Sequence, residues 1–553
     1  MPGSTFLTQF PVDPTAAALT DLQGNILKGH GRQFTFHLFL SFKPNKQKEV
    51  RNWLADFSAA FVTSARQQLD DTKRFHDERI PGGLFTSVLL SAAGYAYLGV
   101  EGSKMPKDPR FTKGMQASGS LLKDPAPSTW HKGLNGTDGA IHALLLLADA
   151  DVHQARSLAR AIKLSLVGKA DVVAQERGVV LRNAKGEGIE HNNYVDGISQ
   201  PVFFANEMPA ATDQWNPQAT PALMLVPDPG GKFGENSLGS YFVFRKLEQN
   251  VRGFKTREKE VAKAVFNLPA DPAKWTPAQQ EQAELIGAWA VGRFEDGTPV
   301  LLHGEAQNPA LNKQENNFNF AATDSASKCP FHAHIRKSAP RTDVGGAVFN
   351  KAKRLVRRGI PYEDAPRVRE ADGNLSDNPA DMPTGGVGLL FMCYVADIAG
   401  QFEFVQKDWV NAPNFAQTGT GKDPLIGQPT DNTMYHWPPA YGDTTHPKKD
   451  VPFGDFIAMR GGEYFFAPCL SMLQSLRVLP QRTAVVGTKV PVLTTVPTLP
   501  KPGEPVTLPH PEVLVQLNGN ILAGNQKVSQ LDPILQLFIP DKADIGAGVV
   551  NVA

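Results

Sequence analysis

Cysteine is scarce: Cys329, Cys393 and Cys469 are the only three in 553 residues. So few, and an odd number, build no disulfide framework, which points to a reducing compartment. Neither charge sign predominates, since 56 Lys and Arg stand against 55 Asp and Glu for a formal net charge of +1. A chain so balanced has no general attraction to nucleic acid or to an acidic membrane, so neither is expected as a partner. Long apolar runs are missing as well: residues 140–148 and 387–395 fall far short of the ~20 needed to cross a bilayer. Residues 1–14 contain no basic region leading into an apolar run and no twin arginine, and the expected location is cytoplasmic.

What is present suits a large mixed fold. Residues 34–42 read FTFHLFLSF, a β-prone run, and residues 48–71 follow with apolar positions at helical spacing. The same order recurs at 140–148 with 151–164, and at 387–395 with 401–409. Strands interspersed with helices indicate an α/β or α+β architecture. Pro, Asn and Gly accumulate between residues 206 and 232, the composition of a surface connection between two folded parts, with a boundary near Pro201. From Thr483 to Pro511 Val, Thr and Pro dominate, which reads as an extended arm. Residues 22–29, LQGNILKG, echo residues 517–524, LNGNILAG, at six of eight positions. One copy near each end is no solenoid, and a recurring turn followed by a strand is the plainer account.

Three segments carry candidate chemistry. Residues 329–341, CPFHAHIRKSAPR, offer imidazoles suited to Fe, Zn or Cu. Cys329, His332 and His334 supply three zinc ligands but have no nearby Cys/His pair to complete a tetrahedral site. Each of these histidines alone is more commonly structural. Residues 190–201, EHNNYVDGISQP, place Asp196 before Gly197, a step that in isolation is a turn. In residues 354–362, RLVRRGIPY, the element ends at Gly359 and Pro361, and Val348, Ala352 and Leu355 fall on one helical face. The basic run 353–358 lacks the interleaved aromatics of a nucleic-acid platform, and GTGK at 419–422 lacks phosphate-loop spacing.

Taken together, these segments resemble the dye-decolorizing peroxidases. The likeness lies in Ala333-His334-Ile335-Arg336-Lys337, Pro340-Arg341, Arg357-Arg358-Gly359 and Gly388-Leu389-Leu390-Phe391, in that order. It extends to GSYFVFRKLEQ at 239–249, GRFEDGTP at 292–299, residues 316–320 and DPLIG at 423–427, and covers about residues 20–480. The resemblance implies an α+β fold of two ferredoxin-like domains, residues 1–200 and 201–482, with antiparallel sheets, peripheral helices and a C-terminal extension over 483–553. It implies one haem b per chain, with His334 as iron ligand, Asp196 as distal acid/base and Arg357 as its cationic partner. Leu389 and Phe391 would line the peroxide channel, and Arg336 and Asp397 join them as cofactor-binding residues. Asp397 and Glu403 are the two candidates for an acceptor on the proximal imidazole, and His332 is expected beside the haem propionates or at the surface. The implied reaction reduces hydrogen peroxide through a ferryl intermediate while aromatic donors such as dyes and phenols are oxidised, with a homodimer as the oligomer to test for. A free Asp titrates near ~4, so an acidic pH optimum is expected. The rival readings are a haem-handling protein without turnover and a zinc protein. One departure stands out: the family motif Gly-x-x-Asp-Gly has Asn193 at its first position, and Asn is among the few other residues that tolerate positive φ.

Overall fold

The computed structural model describes residues 5–208, 217–311, 313–320, 326–429 and 433–478, and the backbone of a small hairpin, Val515–Leu517 with Asn520–Leu522. The expected arm otherwise lies outside the described residues, as does part of the 206–232 connection.

Eight antiparallel strands form the centre: β1 Phe34–Phe42, β2 Phe85–Leu90, β3 Ala143–Asp149, β4 Ala170–Val179, β5 Leu238–Gln249, β6 Ile360–Glu363, β7 Val387–Val395 and β8 Ile457–Ala467. The hydrogen-bonded order β5-β8-β2-β3-β1-β4-β6-β7 closes on itself through pairing of β7 with β5. Within the ring, each half of the chain contributes four strands in the spatial order fourth, first, third, second, the arrangement of a β-α-β-β-α-β ferredoxin-like unit. The seams are thin: β8 meets β2 at Phe466 and Leu90, and β6 meets β4 at Tyr362 and Gly178. Closure removes the sheet edges on which other chains could pair.

The aromatic run at the start of the sequence sits where both faces of a strand are buried. Phe39 points into the barrel among Leu144, Phe242, Phe244 and Phe465, while Leu38 and Leu40 face outward under the helices. Those helices are α1 Gln47–Phe61, α2 Ala65–Glu78 and α3 Val152–Ser165. The single helical span expected over 48–71 is two helices because Ser64 breaks it, its hydroxyl accepting from Gln67 N at 3.1 Å as the N-cap of α2. Asp151 caps α3 in the same way through His153 N at 2.8 Å. In the second half α4 Val251–Phe266 and α5 Pro277–Val291 pack together, α5 opening on a capping box at Thr276 and Gln279.

Two local expectations give way. Leu355 does not share a helix with Val348: the helix is Gly346–Ala352, Val348 is exposed, and the chain then extends into the short strand Val356–Arg357. Residues 22–29 form a turn with no strand directly after it. That turn is a clamp. Gln23 Nε2 donates to Val88 O at 2.8 Å and to Pro468 O at 2.7 Å, tying β2 to the end of β8 at one of the thin seams.

Candidate active site

His334 opens the short helix α6, His334–Ser338. Lys337, one turn on, donates to Ala412 O at 2.6 Å, Phe415 O at 2.7 Å and Gly421 O at 2.8 Å, so α6 is fastened to the loop leading to Asp423. The Asp423 carboxylate has no exposure and lies 2.7 Å from His334 Nδ1. Its other oxygen accepts from Leu425 N at 2.8 Å and Ile426 N at 3.0 Å. Burial opposes charge on the imidazole, but Asp423 outweighs it and His334 is held above its ordinary pKa. For Asp423 burial opposes ionisation, yet His334 and the two amides keep the carboxyl below the usual range. With Nδ1 engaged, Nε2 is the ring atom left to bind a metal, and a quarter of the side chain is accessible.

The acceptor on His334 is therefore Asp423, in place of both Asp397 and Glu403. Asp397 Oδ1 accepts from Gly400 N at 2.8 Å, capping the π-helical stretch Ile398–Glu403, and its side chain borders a 480 Å³ cleft whose lining includes none of His334, Asp196 or Arg357. Glu403 takes Tyr464 Oη at 2.9 Å and Arg110 Nε at 2.8 Å. The sequence signal for Asp423 was its place at the head of DPLIG, one of the segments shared with the family.

Arg336 is also placed differently from the cofactor-binding role expected of it. Its guanidinium is buried, forms a two-point pair with Asp343 at 2.6 and 3.0 Å, donates to Cys329 O and stacks 4.1 Å from the Phe331 ring centre. These contacts pin α6 rather than reach outward. His332 is neither a propionate neighbour nor a surface group: it is buried between Tyr435 and Trp437, each ring centre 4.8 Å away, and its Nε2 has no hydrogen-bond partner. Burial first, then nearby cations, hold it well below its ordinary pKa. Among the described residues no group of three or more His, Cys, Asp or Glu is arranged to hold a metal ion, so Cys329, His332 and His334 do not assemble a zinc site. The expected result for His332→Phe is a change in unfolding free energy below about 1.5 kcal/mol, because an unpartnered buried polar atom is exchanged for a ring in an aromatic slot. Denaturant unfolding measures it, and a loss above 3 kcal/mol, well beyond the ~1.5 expected of such a swap, would show an unseen partner for Nε2.

Asp196 sits in an exposed loop: its N donates to Gly188 O at 3.0 Å and its carboxylate accepts from Gly197 N at 2.6 Å. Asn193 adopts φ +75°, the conformation expected of the residue replacing the family glycine, and its amide donates to Asp377 Oδ1 at 3.0 Å. Arg357 Nη2 donates to Ile198 O at 2.9 Å, binding the arginine to the Asp196 loop. The charges of Arg357 and Asp196 both act on His334, which sets all three around one region. Arg357 pairs with Cys393 across β7, and strand alternation puts Leu389 and Phe391 on that same face. Both are partly accessible, whereas Leu390 and Met392 between and beside them are buried. Arg358 turns the other way, donating to Asn25 O at 2.7 Å and Ile26 O at 2.8 Å, so the 22–29 turn holds the neighbour of Arg357.

A group of acids, Glu258 buried and Glu284 and Glu295 part-buried, is linked to the Asp196 loop and had no sequence signal. Val195 N donates to Glu295 O at 2.9 Å, Tyr194 Oη donates to Glu258 at 3.0 Å, and Lys255 lies 3.2 Å from Glu258 while also pairing with Glu295. Burial, then the charge of Glu295, pushes Glu284 up to about 7, and burial pushes Glu258 up to about 7 as well. The folded state therefore binds more protons than the unfolded state between the ordinary carboxylate range and pH 7, so stability falls as pH rises through that window. Glu284→Gln is expected to flatten this dependence by on the order of 2 kcal/mol, after allowance for its partial exposure. Chemical unfolding at pH 5 and pH 8 checks it, and an unchanged difference refutes it.

Residues 21–181 match the family model described as the DyP dimeric alpha+beta barrel domain. The multifunctional dye peroxidase DyP2 of Amycolatopsis sp. is 38% identical, over 83% of this chain and 96% of its own length. The dye-decolorizing peroxidase msp1 of Mycetinis scorodonius is 30% identical over 83% of this chain and 87% of its own. Among solved structures, the DyP-type peroxidase of Anabaena sp. superposes with a TM-score of 0.73 at 37% identity, covering 83% of this chain and 94% of that one. A barrel of two ferredoxin-like halves, a histidine held by a buried carboxylate, and relatives matched along most of their length lead to one conclusion: this chain belongs to the dye-decolorizing peroxidase family.

Proposed function

We propose that the chain binds one haem b through His334 Nε2 and reduces hydrogen peroxide while oxidising aromatic donors of the dye and phenol class. The observation that carries this reading is the His334–Asp423 pair, which commits Nδ1 and leaves Nε2 accessible in the region that Asp196 and Arg357 share. These residues suit a haem: a neutral imidazole made more basic by a buried carboxylate is a good iron ligand, and the face of Leu389 and Phe391 is apolar and accessible. Bound there, haem supplies the redox centre through which peroxide is reduced and a donor oxidised.

The protein's own groups then have defined tasks. Asp196 takes the proton from one peroxide oxygen and returns it to the other, which leaves as water. Arg357, a permanent cation held by Ile198 O, stabilises the negative charge that grows on the departing oxygen. Leu389 and Phe391 keep the site narrow and poor in water. Asp423 fixes the ring orientation of His334. We assign residues 1–200 and 201–482 as the two domains, a homodimer as the assembly, in line with the description of the matching family model, and a reducing, cytoplasmic setting, in line with three buried cysteines that form no disulfide. No helix among the described residues is long and apolar enough to cross a membrane.

The test is a haem titration of the full chain followed by peroxide. Saturation at one haem per chain, a Soret band that shifts with one equivalent of peroxide, and dye bleaching faster at acidic than at alkaline pH are expected. A Soret band with no peroxide-dependent bleaching favours the haem-handling reading, and saturation at any other stoichiometry refutes the single-site assignment.

A further inference from the structure

We propose that the cleft between α3 and β4, on the outer face of the first half of the barrel, is a second binding site, for a small anionic aromatic molecule. α3 lies over β1, with Leu158 and Ile162 packed in the same cluster as Phe36 and Leu38. Neighbouring β4 pairs Arg177 with Phe36 and Gln175 with Leu38, so these two β4 residues share the outward face beside the helix. A cleft of 280 Å³ opens between them.

Its charge is one-sided. Arg156, Arg160 and Lys163 stand four and three residues apart on one face of α3, and Arg177 faces them from the strand. Among the described residues none of the four makes a side-chain hydrogen bond or an ion pair, and the charge of Arg177 acts on Glu363 without offsetting the burial that raises it. The neighbouring helices behave differently: on α2 Arg66 pairs with Asp70 and Lys73 with Asp77, and at the head of α1 Lys46 pairs with Glu49. α3 itself contains no acidic residue between Val152 and Ser165. Like charges brought together without counter-charges repel. An anion in the cleft removes that repulsion. Partial burial also holds the Lys163 ammonium below its ordinary pKa, so this wall is already part-dehydrated.

The floor supplies the second half of the recognition. Phe36 and Ala159, 4% and 3% exposed, form an apolar base beneath the cationic walls, and Gln175 adds a hydrogen-bonding amide at the rim. A bare inorganic anion would leave that base unused, and a neutral ring would leave the cations unpaired. The volume lies at the low end for ligand pockets, which suits one or two fused rings bearing a sulfonate or carboxylate. The site is independent of the haem residues and goes beyond the peroxidase reading.

The experiment is calorimetric titration of the full-length, haem-loaded chain with 2-naphthalenesulfonate in the absence of peroxide, alongside 2-naphthol and inorganic sulfate. One site is expected, weakened by added salt and weakened roughly tenfold in the double variant Arg156→Gln with Arg160→Gln. Arg177→Gln, on the opposite wall, is expected to weaken it about threefold, the effect of losing one rim pair, so the result does not depend on one helix staying folded. Naphthol and sulfate are each expected to bind about tenfold more weakly than the naphthalenesulfonate. Unchanged affinity in both variants overturns the site, sulfate binding as tightly overturns the aromatic component, and naphthol binding as tightly overturns the charge component. Because no peroxide is present, failure here is separable from failure of the haem assignment.

Discussion

Asp196→Asn is expected to lower kcat/KM for peroxide by about a thousandfold, within the 10²–10⁴ range typical of losing a general acid–base group, while leaving haem uptake and the resting Soret band unchanged. The expectation rests on how the loop is built. The Asp196 backbone donates to Gly188 O, Val195 donates to Glu295 O, and the 196 side chain accepts from Gly197 N. An asparagine oxygen can keep that last bond, so the loop stays in place and only the capacity to carry a proton is lost. Asn193→Gly provides the control for loop geometry. Its φ of +75° suits glycine, and the bond to Asp377 is the contact removed, so turnover should change by less than about threefold while local stability drops by the ~1 kcal/mol of one hydrogen bond. Stopped-flow mixing with peroxide reads the first step directly. If Asp196→Asn stays within threefold of the parent, against the ~10² minimum for an acid–base group, the carboxylate is not the proton carrier. Water, or Glu258 hydrogen-bonded to Tyr194, would then be the carrier.

Much of the fold was legible because strong local patterns coincided with burial. The β1 run reads as a strand since every second residue meets the barrel interior and the others meet helices, so no alternation with polar residues is needed to recognise it. β7 was read with its true limits for the same reason. Where a local pattern was overruled, the cause is a long-range pairing: the helix stops at Ala352, and Val356–Arg357 extend to pair with Tyr394 and Cys393 of β7, which leaves Leu355 beyond the helix end. Closure of the barrel was not legible, because its seams depend on contacts such as Gln23 with Pro468, 445 residues apart. The site divides along the same line. His334, Asp196 and Arg357, the residues proposed for the site, each stand in a short motif of the family resemblance. Asp423 lies 89 residues from its partner, so its segment was visible while its role was not. The unusual protonation of Glu258 and Glu284 follows from burial, which no short stretch of sequence encodes.

Asp423→Asn separates two contributions that the wild-type pair combines, ring orientation and ring basicity. Asparagine is nearly the same size and, with its one carbonyl oxygen turned to His334, still accepts from Nδ1–H, so ring orientation is largely kept, while its NH2 replaces the oxygen that accepts from the amides of Leu425 and Ile426 and those two bonds are lost. The negative charge is lost, and with it the interaction that raises His334 against the opposing effect of burial. A less basic imidazole holds iron less tightly, and haem affinity or turnover should fall by about 10–100-fold, the usual consequence of removing the carboxylate behind a ligating histidine. The haem reduction potential should rise, since less electron density reaches the metal. In the haem-free chain the pair contributes stability only while both partners are charged. Its contribution is lost as pH falls through the lowered folded pKa of Asp423 and as pH rises through the raised folded pKa of His334. The asparagine variant should show neither loss, giving a flatter stability profile around a lower maximum. Asp423→Ala then isolates orientation. It strands the imidazole N–H and two backbone amides in a site without solvent, at about 1–3 kcal/mol for each unsatisfied group, and should lose haem more completely than the asparagine variant. Equal haem affinity and an unmoved potential in Asp423→Asn would mean that the carboxylate only positions the ring, and equal behaviour of the Asn and Ala variants would mean that charge outweighs geometry.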